Sequence, residues 1–117
     1  MPRLISTPNA IPVPGGKKID EYIGRVASQT PEVSVAHMRS PAGWTEPGQR
    51  PEFRELTLVL SGVLHVEFEG GVIDVRAGQA LIAESGEWVR YSTPNDPAEY
   101  VAICLPAFEL GIAHRDE

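Results

Sequence analysis

Cysteine is nearly absent: Cys104 is the single thiol in 117 residues. No internal disulfide can form, so the fold does not depend on an oxidising compartment. Basic residues are scarce as well. Ten Lys and Arg stand against sixteen Asp and Glu, a formal net charge of −6, and such a balance argues against nucleic acid or anionic membranes as partners. No apolar run is long enough to cross a bilayer, and Met1–Gly16 has no apolar centre of the signal-peptide kind. A cytoplasmic protein is the expectation. Histidine, a common ligand of transition metals, occurs only as His37, His65 and His114.

What the chain has in quantity is punctuation. Eleven glycines and eleven prolines break it about every ten residues, which favours short strands joined by turns over long helices. The spacing predicts strands over 32–38, 54–60, 63–68, 72–75, 79–83, 88–93 and 99–105. It predicts a loop over 44–50 and coil from Pro106 onward. Residues 17–28 carry Ile19, Tyr22, Ile23 and Val26 at helical spacing and read as a turn of helix followed by a strand. The run Arg54–Leu60 reads as a strand buried on both faces, closed by Ser61-Gly62. The expected architecture is a single all-β domain, a barrel over 31–117 of antiparallel strands with little helix. Residues 1–30 form an arm that could swap a strand with a partner in a homodimer.

Two glycine frames carry a resemblance. The first runs Gly43, five residues, Gln49-Arg50-Pro51, three residues, Glu55, six residues, Gly62. After fifteen intervening residues, the second runs Gly78, five residues, Glu84-Ser85-Gly86, two residues, Val89, three residues, Thr93. Both frames resemble the paired motifs of the cupins, G-x5-H-x-H-x3/4-E-x6-G and G-x5-P-x-G-x2-H-x3-N. The resemblance implies the cupin jelly roll, also called the double-stranded β-helix. The run Glu55–Gly71 and the ending Leu105-Pro106-Ala107-Phe108 are most similar to the ethanolamine-utilisation type, a subgroup that keeps the glutamate and lacks the metal-binding histidines. Gln49, Pro51 and Val89 stand at the three histidine positions here. The resemblance therefore implies no bound metal, unless Gln49, Glu55 and an inward His37 rebuild a divalent site.

Strand alternation then assigns an interior. With Glu55 inward, Thr57 and Val59 follow on one wall, Val89, Tyr91 and Thr93 on a second, and Val33, Val35 and His37 on a third. Trp44, Glu46, Gln49 and Trp88 are placed at the mouth. Glu55 is either a structural ion paired with Arg50, Arg54 or Arg90, or an acid/base whose pKa the apolar walls raise. Two functions follow. The first expectation is a small-molecule-binding cupin of unassigned activity, with His37, Trp44, Glu46, Gln49, Thr57, Trp88 and Val89 around the ligand. The alternative is a metal-independent lyase, isomerase or cyclase acting on a small polar metabolite, with Glu55 and Tyr91 in the catalytic roles. No Ser or Cys lies in a recognisable nucleophile motif.

Overall fold

A computed structural model describes residues 1–117 as ten strands and one short helix. The strands are β1 (Asn9–Ile11), β2 (Lys18–Ile23), β3 (Ser34–Ser40), β4 (Trp44–Thr45), β5 (Arg54–Ser61), β6 (Val63–Phe68), β7 (Gly71–Arg76), β8 (Ala80–Ala83), β9 (Val89–Thr93) and β10 (Ala98–Leu105); the helix is α1 (Leu110–Ala113). Two sheets face one another, a six-stranded one in the order β1-β2-β3-β10-β5-β8 and a four-stranded one in the order β4-β9-β6-β7. Every pairing is antiparallel. This is the expected all-β jelly roll.

The interior divides in two. Ten buried residues, among them Trp44, Val59, Leu64, Val66, Val89 and Tyr91, fill one end between the sheets. At the other end Phe53, Cys104 and Ala113 form a smaller cluster, against which Phe108 and Ile112 pack. The polar cavity described below is bounded by residues of both ends.

Four expectations need correction. Residues 18–23 are wholly strand: β2 turns Ile19 and Glu21 inward, and the Glu21 carboxylate accepts the Val26 and Ala27 amides at 3.1 and 2.8 Å. The helical spacing there comes from a strand and its turn read together. β1 continues this sheet as the antiparallel partner of β2. On β3 the predicted face is inverted, because Ser34 and Ala36 are buried while Val35 and His37 are only partly so. A shift of one residue in phase reverses a whole strand, and it carries His37 away from the interior. β5 is buried on one face only: Glu55, Thr57 and Val59 point in, whereas Leu58 and Leu60 stay 45% and 48% exposed. Finally, the loop over 44–50 contains β4 with Trp44 buried, and the coil after Pro106 contains α1.

Candidate functional site

Glu55 lies near the start of β5 and is held inward by the same alternation that buries Phe53, Thr57 and Val59. Its Oε1 accepts the Tyr91 hydroxyl at 2.9 Å, and its Oε2 lies 3.7 Å from the Cys104 thiol. No arginine reaches it: Arg50 pairs with Glu69, Arg54 with Glu84 and Arg90 with Glu67, all on the surface. The reading of Glu55 as an ion paired with Arg50, Arg54 or Arg90 is thereby excluded. Burial pushes its pKa up, and the Tyr91 hydrogen bond only partly opposes this. Burial likewise raises Tyr91 well above the phenol range and lifts the Cys104 thiol. The carboxyl is thus biased toward its neutral form, in which it can donate a hydrogen bond as well as accept one.

A second group lies beside it, and the sequence did not announce it. The Lys17 side chain is only 6% exposed, lies 3.7 Å from Glu46, and stands over the Trp44 ring at 4.5 Å from its centre. Burial alone would lower the lysine pKa; Tyr100 and Glu46 beside it outweigh that and hold it above the usual value. Glu46 also faces Arg115 at 3.6 Å. A buried cation of this kind keeps its charge because carboxylates and aromatic faces surround it. The signal for Lys17 was there: once Ile19 is inward on a strand, Lys17 and Glu21 must be inward too.

Together these groups line a cavity of about 40 Å³, with Ala36, Met38, Thr57, Ala102, Phe108 and Gln49 among its walls. The structure therefore gathers Glu55, Tyr91, Glu46, Gln49 and Thr57 as expected. Val89 is core, with a backbone bridge to Gln49, and Trp44 is core beneath Lys17. Trp88 lies at the rim, where its Nε1 donates to Asp116 at 2.9 Å. His37 is outside and contacts Glu99 at 2.6 Å.

The fold implies a metal at the Gln49, Pro51, Glu55 and Val89 positions, and the residues present do not fit one. They offer one amide and one carboxyl, and no three of the His, Cys, Asp and Glu side chains converge into a metal-holding group. The site's chemistry is that of a desolvated carboxyl–phenol pair beside a fixed ammonium.

The pKa shift yields a direct expectation. In the folded chain Glu55 keeps its proton to higher pH than the ordinary glutamate value of 4.5. Its contribution to stability is complete below that pH and is lost as pH rises through the folded pKa. Glu55→Gln, which still accepts the Tyr91 hydrogen bond, should remove this loss. Thermal melts of the two proteins should separate progressively above pH 4.5, with the variant several degrees higher at pH 8. A variant that melts lower there would show instead that the carboxylate is ionised and held by Lys17.

No known protein-family model matches the chain. A curated relative, endoribonuclease YbeY of Myxococcus xanthus, is 39% identical over 107 residues, covering 91% of this chain and 36% of the relative. The chain thus spans about a third of that relative's length. Among solved structures, ethanolamine utilization protein Q of Salmonella typhimurium aligns with TM-score 0.63 at 20% identity, over 79% of this chain and 71% of that one. KdgF of a Halomonas species gives 0.73 at 16% identity, over 86% and 89%. Oxalate decarboxylase of Bacillus subtilis gives 0.79 at 17%, over 95% and 31%. The expectation of a small-molecule-binding cupin, with a lyase, isomerase or cyclase as its alternative, is overturned by the relative named an endoribonuclease. The cavity agrees, since a pocket that takes a metabolite is typically some 300–1,000 Å³ against about 40 Å³ here. The likeness to the three solved structures shows the fold alone: the chain has the cupin jelly-roll architecture.

Proposed function

We propose that this chain is the cupin-fold part of an endoribonuclease-type protein, and that it serves RNA processing without cutting RNA itself. The observation that carries this reading is the asymmetry of the match. It takes in 91% of the chain but 36% of the relative, which leaves ample length outside the matched third for a cleaving centre. The geometry supports the same division. Attack by a ribose hydroxyl needs a base within hydrogen-bond reach of it, and Glu55 is buried in a cavity too small for a nucleotide. The net charge of −6 makes the barrel a poor non-specific binder of RNA. Joined to a cleaving part, an acidic body of this kind keeps the polyanion on that part's own surface. The name of the relative makes RNA relevant to the assembly, against the expectation from charge alone.

The test uses a fluorescent structured RNA. The isolated chain, with and without added magnesium or zinc, should leave it intact. The whole relative should cleave it, and should cleave it more slowly once its matched third is removed. Cleavage by the isolated chain that vanishes in Glu55→Gln would make the barrel itself the nuclease. Unaltered cleavage by the shortened relative would remove the barrel from RNA processing.

A further inference from the structure

The segment that follows β10 contributes Phe108 and Arg115 to the wall of the cavity. Its first half is anchored by apolar contact. Ala107 and Ala113 are fully buried, and the Phe108 ring lies 5.8 Å from that of Phe53 at a tilt of 57°. Its second half, His114–Glu117, is held differently. The His114 carbonyl accepts the Arg50 amide at 3.2 Å, the Asp116 amide donates to the Gly48 carbonyl at 2.7 Å, and Arg115 bridges Gln49. Asp116 accepts Trp88 Nε1, Arg115 faces Glu46, and His114 contacts Glu52. No apolar side chain belongs to this half.

Two further observations single out the seam. The buried side-chain polar atoms that lack a hydrogen-bond partner are Gln49 Oε1 and Arg115 Nε, one on each side of it, and both residues line the Glu55 cavity. Unpaired buried polar groups weaken the contact that buries them. His114, at the joint between the two halves, has a left-handed backbone with φ 51°, a conformation costly for a residue other than glycine. The anchored half rests on apolar packing, whereas His114–Glu117 is held by polar contacts alone and leaves Gln49 Oε1 and Arg115 Nε unpaired.

We propose that His114–Glu117 is a releasable clasp that seals the cavity holding Glu55, Tyr91 and Cys104, and that it opens without unfolding of the barrel. The opened state exposes Glu55, Lys17 and Gln49 to solvent. The proposal goes beyond the role in RNA processing and holds whatever the barrel is joined to. Opening of this sort is a sub-global event, distinct from global unfolding.

Cys104 supplies a readout that needs no ligand. It is the single thiol, 3% exposed, and it lines the same cavity. Its reaction with methyl methanethiosulfonate under native conditions should accelerate about tenfold or more when Arg115→Ala and Asp116→Ala are combined, with the urea midpoint nearly unchanged. Leu64→Ala, a core substitution far from the clasp, serves as the control. It should label faster only in proportion to the stability it loses. Should the clasp variant itself lose stability, its labelling must still exceed that of a Leu64→Ala control matched for stability. A clasp variant that labels at the wild-type rate, or only in step with lost stability, overturns the proposal.

Discussion

Gly62→Ala should remove roughly 3 kcal/mol or more of folding stability, while Gly78→Ala removes about 1–2 kcal/mol. Both glycines have left-handed backbones, at φ 76° and 84°, and both substitutions bear that strain. They differ in what surrounds them. A Cβ on Gly78 would meet nothing within 4 Å; one on Gly62 would lie 2.0 Å from the Pro97 carbonyl oxygen and 2.9 Å from the Ala98 Cα. These are backbone atoms at the start of β10, whose Glu99 pairs with Ser61, so relief requires parting two strands of the six-stranded sheet. Urea unfolding of the two variants checks this. Equal losses would mean that the chain near Pro97 yields freely. A domain of this size holds some 5–15 kcal/mol in all, so the Gly62 substitution alone consumes much of it.

The same glycines explain why the fold was legible. Gly43, Gly62, Gly78 and Gly86 all take φ between 76° and 85°. Each marks a turn that other residues adopt only with strain, so their intervals preserve the architecture although Gln49, Pro51 and Val89 have replaced the usual side chains. Glycine spacing reports backbone and is silent on chemistry. That is why the architecture could be read from the chain while the function assigned from it was wrong.

Faces were harder to read than strands, for a reason visible in β3 and β10. Over Ser34–Ala36 and Ala102–Cys104 small residues point in and larger aliphatic ones point out. Ala36 sits opposite Ala102 inside, and Val35 opposite Ile103 outside. The interior there is narrow, crossed by Lys17, Glu21 and Phe108, so it accepts alanine and serine where a hydrophobicity pattern would put valine. His37 followed the wrong face with Val35. On β5, by contrast, Glu55, Thr57 and Val59 were placed correctly, because the glutamate of the first frame fixed the phase. The outer face of this sheet remains apolar, with Leu58 at 45% and Ile82 at 57% exposure, and that is why β5 read as buried on both sides. Lys17 and Arg115 escaped notice because each reaches the cavity from a segment read as arm or coil. Alternation from Ile19 could have turned Lys17 inward, whereas no local pattern announces Arg115, which arrives from the opposite end of the chain.

Phe53→Ala should be the most damaging side-chain truncation in the smaller cluster beside the site, at about 3–5 kcal/mol. Phe53 is 1% exposed and is the largest of the fully buried side chains. It sits on the same inward phase as Glu55 and packs against Cys104, Ala113, Phe108 and Ile112. No neighbour can fill the space it would leave. β10 is fixed in register to β3 and β5 on either side, and Ala113 has no side chain to extend. Phe53→Leu, which refills most of the volume, should cost under half as much. Both are measured by urea unfolding, with an unchanged slope as the sign that the unfolded state is the same. The truncation also removes the ring on which Phe108 rests, so Cys104 in Phe53→Ala should react with methyl methanethiosulfonate faster than its global stability allows. Loss of stability without that excess would mean that the anchored half stays in place on Ile112 and Ala113 alone. A loss below about 1 kcal/mol, well short of the usual cost of such a truncation, would mean that this end of the barrel is loosely packed and that Phe53 does not anchor the segment after β10.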